Sequence, residues 1–126
     1  MNIVSVINGL EGEGKTKELE GDFMDNISDP CMRYYYLSTV ESSGVIEERL
    51  NTIRKSNPNY ASKTSMGVYM FKTKQELERL LTDLSDDSGT IFFIDNAYTV
   101  DDFSYEWLMV MMDKYQFDCE VTRLRT

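Results

Sequence analysis

The chain contains no histidine. Imidazole is the one side chain that ordinarily titrates near neutral pH, so Ser-His-Asp and Cys-His catalysis are excluded, along with the commonest metal ligand. Cysteine is almost as scarce. Cys31 and Cys119 are too few for a four-ligand zinc site, and they read as small buried hydrophobes in a reducing compartment. Positive charge is also short: 13 Lys plus Arg stand against 22 Asp plus Glu, a net charge of −9. Such a surface repels phosphate backbones and anionic lipid, because non-specific nucleic-acid binding needs clustered Lys and Arg to displace counterions. Neither nucleic acid nor a membrane is therefore an expected partner. No apolar run approaches the ~20 residues that span a bilayer. Met1 to Asn8 lacks the basic flank and long apolar core of a signal peptide. The expectation is a soluble, cytoplasmic protein.

What is present fits one compact domain over residues 1–126. Hydrophobic residues make up 41% and charged residues 28%, ordinary globular usage that excludes wholesale disorder. Strand-like and helix-like segments alternate. Asn2 to Ile7 is apolar and β-branched, a buried strand. After a glycine-rich turn, Lys15 to about Asp25 reads as a polar helix, and Arg33 to Val40 as a Tyr-rich strand. Ser43 to Ser56 puts Ile46, Leu50 and Ile53 on one helical face, with Pro58 beyond its end. The polar stretch from Asn57 to Ser65 is expected to be the most mobile loop. Met66 to Phe71 is a third strand. Thr73 and Glu76 have capping-box spacing ahead of a Leu77, Leu80, Leu81, Leu84 stripe. Ile91-Phe92-Phe93-Ile94, closed by Asp95, lacks polar alternation, as a parallel strand covered on both faces requires. Phe103, Trp107, Met111 and Tyr115 recur every four residues, which predicts a helix from Asp101 to Gln116. Cys119 to Leu124 makes a last strand. The pattern predicts a three-layer α/β domain, P-loop NTPase-like, with a mostly parallel sheet of about five strands.

Between the first strand and first helix lies Gly9-Leu10-Glu11-Gly12-Glu13-Gly14-Lys15-Thr16, which meets every fixed position of the phosphate loop G-x-x-x-x-G-K-[ST]. Gly9, Gly12 and Gly14 let the backbone turn tightly, so that successive N–H groups, including that of Glu13, aim inward at phosphate. Lys15 reaches the β- and γ-oxygens, and the Thr16 hydroxyl ligates Mg2+. The positive end of the helix faces the same point. A chance match in a chain of this length is on the order of one in two hundred, and this match also has the required strand-to-helix context. The alternative is a flexible Gly/Glu turn, and Glu11 and Glu13 bring negative charge to the loop.

Ile91 to Asp95 looks like a Walker B strand, whose terminal Asp95 holds Mg2+ directly or through water opposite Thr16. From here the sequence resembles a family. Ile94-Asp95-Asn96-Ala97 is similar to the Asp-Glu-Ala-Gln stretch of thymidine kinases of the two-domain, zinc-containing type. Val121-Thr122-Arg123-Leu124-Arg125-Thr126 resembles their Gly-Leu-Arg-Thr segment. The resemblance implies a nucleotide-binding core with ATP (or GTP) and Mg2+ as cofactors. It also implies that the position after Asp95 is the catalytic base. Here that position is Asn96, which accepts no proton at neutral pH. Asp101 and Asp102 are substitute carboxylates or else acids of the fourth helix's first turn. Arg123 and Arg125 reach the phosphates if the last strand neighbours the first. In that family the zinc-bearing, thymidine-enclosing domain follows the Leu-Arg-Thr segment, at which this sequence ends. The expectation is therefore nucleotide binding by a truncated core, with weak or partner-stimulated hydrolysis or phosphoryl transfer. The rival expectation is a non-enzymatic module that binds a protein partner through an acidic, Tyr-rich surface.

Overall fold

The computed structural model describes residues 4–10, 14–27, 32–41, 43–56, 66–86 and 89–124. Its strands are β1 (Val4–Gly9), β2 (Arg33–Ser38), β3 (Met66–Met70), β4 (Thr90–Asp95) and β5 (Asp118–Leu124). Its helices are α1 (Lys15–Asn26), α2 (Gly44–Ser56), α3 (Lys74–Leu84) and α4 (Tyr105–Tyr115), with a 3-10 turn over Ala97–Thr99. The sheet order is β1-β5-β4-β2-β3, and every neighbouring pair is parallel. This is the expected three-layer α/β architecture, with five strands among the described residues, all of them parallel.

The direction of travel explains the layers. The chain runs from β1 across to β2 and out to β3, then turns back through β4 to β5. Crossovers between parallel strands are right-handed, so reversing direction moves the connecting helices to the other face. Accordingly α1 and α2 cover one face, packing Leu19, Phe23, Ile46, Leu50 and Ile53 on Ile7, Tyr34, Tyr36 and Phe93. On the other face α3 and α4 pack Leu77, Leu81, Leu108, Met111 and Met112 on Tyr35, Leu37, Phe92, Ile94 and Val121. β4 is the central strand, and its unbroken Phe92-Phe93-Ile94 run is buried on both sides.

Two local expectations need correction. The fourth helix begins at Tyr105, not Asp101, because the Ser104 hydroxyl accepts from the Trp107 N–H and caps it there. Phe103 thus lies outside the helix, and the buried stripe is Leu108, Met111 and Met112. Phe103, Trp107 and Tyr115 only pack partly buried against that core. Asp101 and Asp102 are exposed residues of the preceding turn, Asp102 at φ 67°, and are not first-turn acids of the helix. At the other end β1 continues to Gly9, two residues further than its apolar run, because β5 offers ladder partners as far as Leu124. The Asn57–Ser65 loop and Cys31 lie outside the described residues. Cys119 is buried and free, and burial pushes its thiol up to about 12, so it is an inert core side chain. Among the described residues no helix is long and apolar enough to cross a membrane.

Candidate functional site

A parallel sheet gathers the C-terminal ends of its strands on one edge. Here the loop leaving β1 passes to α1 on one face, and the loop leaving β4 passes to α4 on the other. Loops that part in this way leave a crevice at the strand ends. A cavity of about 430 Å³ occupies it, lined by Gly14, Lys15, Thr16, Lys17, Glu20, Asn96 and Tyr98. That volume lies within the usual range of small-molecule sites.

The β1-to-α1 side is built around Lys15. Gly14 caps α1 in the left-handed region, φ 81° and ψ 23°, without a side-chain bond. This conformation is open to glycine and costly for most L residues. The turn it makes carries Lys15 inward. The side chain is buried, and Nζ donates to the Leu10 carbonyl at 2.7 Å, closing the loop back on the end of β1. An ammonium has three donors, so this bond leaves capacity for an anion. Nζ also lies 5.9 Å from the centroid of the Tyr98 ring, a cation–π contact. Thr16 is half-buried in the cavity wall, and the first N–H groups of α1 open at the same place. Gly9 is the buried last residue of β1. Gly12, Glu13 and Arg125 lie outside the described residues.

The β4 side is a hydrogen-bonded network. Asp95 is fully buried. Its Oδ1 accepts from the Thr122 hydroxyl at 2.9 Å, and its Oδ2 from the Tyr36 hydroxyl at 3.4 Å. Thr122 Oγ1 in turn accepts the Asn96 N–H at 3.0 Å. Burial, with the Asp95 and Glu20 carboxylates beside it, pushes the Tyr36 phenol far above its ordinary range, so Tyr36 keeps its proton. Asn96 adopts φ 59° and ψ 21°, and its side-chain oxygen accepts from the Tyr98 hydroxyl at 3.1 Å. Asparagine tolerates this left-handed geometry better than glutamate does, which gives the local backbone its own reason for Asn96 after Asp95.

The structure thus brings Gly14, Lys15, Thr16 and Asn96 to one cavity and sets Asp95 behind its wall, not among the lining residues. Arg123 goes elsewhere. β5 does neighbour β1, but Arg123 is exposed and stacks 5.4 Å over Tyr105 at the start of α4. Burial raises the Tyr105 phenol to about 12 against the lowering pull of Arg123. Its hydroxyl donates to the Thr122 carbonyl at 2.9 Å. Sequence reasoning missed Tyr36, Tyr98, Lys17 and Glu20. Lys17 and Glu20 follow from helical geometry, one and four residues beyond Thr16. Tyr36 meets Asp95 only through strand pairing.

No model of a known protein family matches the chain, and no curated protein sequence matches it.

Proposed function

We propose that this protein binds Mg-ATP or another purine nucleotide through residues 9–16, with weak or partner-stimulated hydrolysis or phosphoryl transfer. One observation carries the reading: a buried lysine, turned onto the carbonyl of Leu10 at the mouth of a helix N-terminus, faces a cavity of about 430 Å³ at the sheet's C-terminal edge. The residues fit the ligand. The Lys15 ammonium, the Gly14 turn and the α1 N–H groups form a cationic end for phosphate. Magnesium prefers hard oxygen ligands and keeps several waters. Thr16 would hold it in the cavity, with Asp95 acting through a water from behind the wall. The cation's contribution would be to neutralise charge on the phosphate oxygens. The likeness of Ile94 to Ala97, and of the C-terminal segment, to two-domain zinc-containing thymidine kinases supports the same reading.

The second reading, a binding module without turnover, draws on Asn96. An amide at the base position, held by its own backbone geometry and by Tyr98, takes no proton from an acceptor.

Calorimetry and melting curves with Mg-ATP and Mg-GTP test binding. The expected result is a heat of binding and a raised melting temperature, both lost in Lys15→Ala, which should fall at least tenfold in affinity while remaining folded. No heat and no shift with either nucleotide would overturn the proposal. Single-turnover phosphate release then separates the two readings. Release above the uncatalysed rate that disappears in Lys15→Ala supports an enzyme, and release at the uncatalysed rate in both proteins supports a binding module.

A further inference from the structure

Asp95 is wholly buried, and its hydrogen-bond donors are neutral. Among the described residues no lysine or arginine pairs with it. The ion pair Arg33–Asp86 lies at the opposite, N-terminal end of the strands. Burying a carboxylate is costly unless its charge is compensated, and a cation arriving beside Asp95 would supply what its two hydroxyl donors do not.

The two donors are not equivalent. Thr122 sits at 2.9 Å, and its oxygen is committed to the Asn96 N–H, which leaves the hydroxyl hydrogen for Asp95. Tyr36 sits at 3.4 Å, the outer limit of a hydrogen bond and well beyond the usual O–H···O separation. The Tyr36 ring is fixed independently by an edge contact with Phe23 at 5.5 Å. It approaches from two residues below, since Ser38 is the register partner of Asp95. The firm donor stands on β5 and also holds the Asn96 turn, and the weak one is anchored in the core.

We propose that the Tyr36 hydroxyl is an exchangeable stand-in for cation-bound water. It satisfies Oδ2 of Asp95 in the free chain and yields that oxygen when a divalent cation arrives with nucleotide. Tyr36 is then a positioning residue that sets the coupling between Mg2+ and nucleotide. The inference rests on the nucleotide reading above. Its energetic sense is definite. Removing the hydroxyl leaves a buried oxygen unpaired in the cation-free chain only, because water held by the cation satisfies that oxygen in the loaded one. The free state is penalised, and cation binding relieves the penalty.

The test is calorimetric titration of ATP, in excess Mg2+ and in EDTA, into wild type, Tyr36→Phe and Tyr34→Phe. Tyr34 is a buried tyrosine on the same strand and face, two residues further from the edge, and serves as the control. The quantity read is the ratio of Kd in EDTA to Kd in Mg2+. Tyr36→Phe should raise this ratio about fivefold, the equivalent of one modest hydrogen bond, with Kd in EDTA unchanged. Tyr34→Phe should keep the wild-type ratio. An unchanged or lowered ratio in Tyr36→Phe overturns the proposal. So does wild-type affinity that ignores Mg2+, with the nucleotide reading left standing. No ATP binding in either buffer overturns both. Should Tyr36→Phe not fold, tyrosine-labelled wild type decides by NMR. The Tyr36 ring signals should shift with Mg-ATP and not with ATP in EDTA, and no shift overturns the inference.

Discussion

Gly14 and Gly21 offer a matched pair of substitutions. A Cβ added at either meets no atom within 4 Å, so neither replacement by alanine clashes. The backbone alone distinguishes them. Gly14 has φ 81°, where an L residue costs about 1–2 kcal/mol. Alanine's smaller entropy in the unfolded chain offsets about 0.4–1 kcal/mol of that. The net expectation for Gly14→Ala is a loss of about 1 kcal/mol. Gly21 lies inside α1 and is not among the glycines of positive φ. There alanine is better than glycine by about 0.5–1 kcal/mol. The same chemical change should therefore have opposite signs seven residues apart. At 1.5 Å per residue the sites are about 10 Å distant, so the effects should add, leaving the double variant within about 0.5 kcal/mol of wild type. Urea unfolding followed by circular dichroism measures this directly. Thermal midpoints should move by about 4 °C per kcal/mol in a chain of this size. Gly14→Ala as stable as wild type would mean that the loop is not held in the left-handed region. A destabilised Gly21→Ala would mean that α1 needs glycine for a contact the backbone does not reveal. Either result refutes the reasoning. If nucleotide binds as proposed and raises the melting temperature, Gly21→Ala should keep that shift and Gly14→Ala should weaken it.

Other outcomes follow from single groups. Burial, with Asp22 and Glu18 of α1 beside it, pushes the Glu120 carboxyl from 4.5 up to about 8. The folded chain keeps this proton where the unfolded chain releases it, so stability falls as pH rises through that window and levels off above it. Glu120→Gln should flatten the slope and be more stable than wild type at pH 8.5, as urea midpoints across pH would show; an unchanged slope would sink the assignment. Asn96→Glu places a residue poorly suited to φ 59° at the end of β4 and should cost about 1 kcal/mol, read by the same unfolding assay. If the restored carboxylate acts as a base, single-turnover phosphate release rises in spite of that loss, and a rate no higher than wild type argues for the binding module.

Local chemistry made much of the molecule legible in one dimension. The Thr73 hydroxyl caps α3 by accepting from the Glu76 N–H, as their spacing predicts, although the Glu76 carboxylate returns to Lys72 N–H instead of the cap residue itself. The apolar Ile91–Ile94 run is the central strand, because only a strand covered on both faces can do without polar alternation. The turn Gly14-Lys15-Thr16 opens α1 where the motif puts it. These features depend on neighbours three or four residues away, or on burial alone. The four-residue recurrence misplaces the start of α4 because it includes Phe103, whose ring meets Trp107 and Tyr105 from outside the helix. Periodicity records which side chains are apolar and cannot tell which backbone carries them inward. Strand order was beyond reach for a stronger reason. Nothing in the sequence states that β5 inserts between β1 and β4, since ladder bonds form with any strand, and the choice is made by packing both faces at once. On that choice depends the surrounding of Asp95: Tyr36 comes from 59 residues away and Thr122 from 27. The residue type at the site is a property of the sequence, and its donors are a property of the sheet.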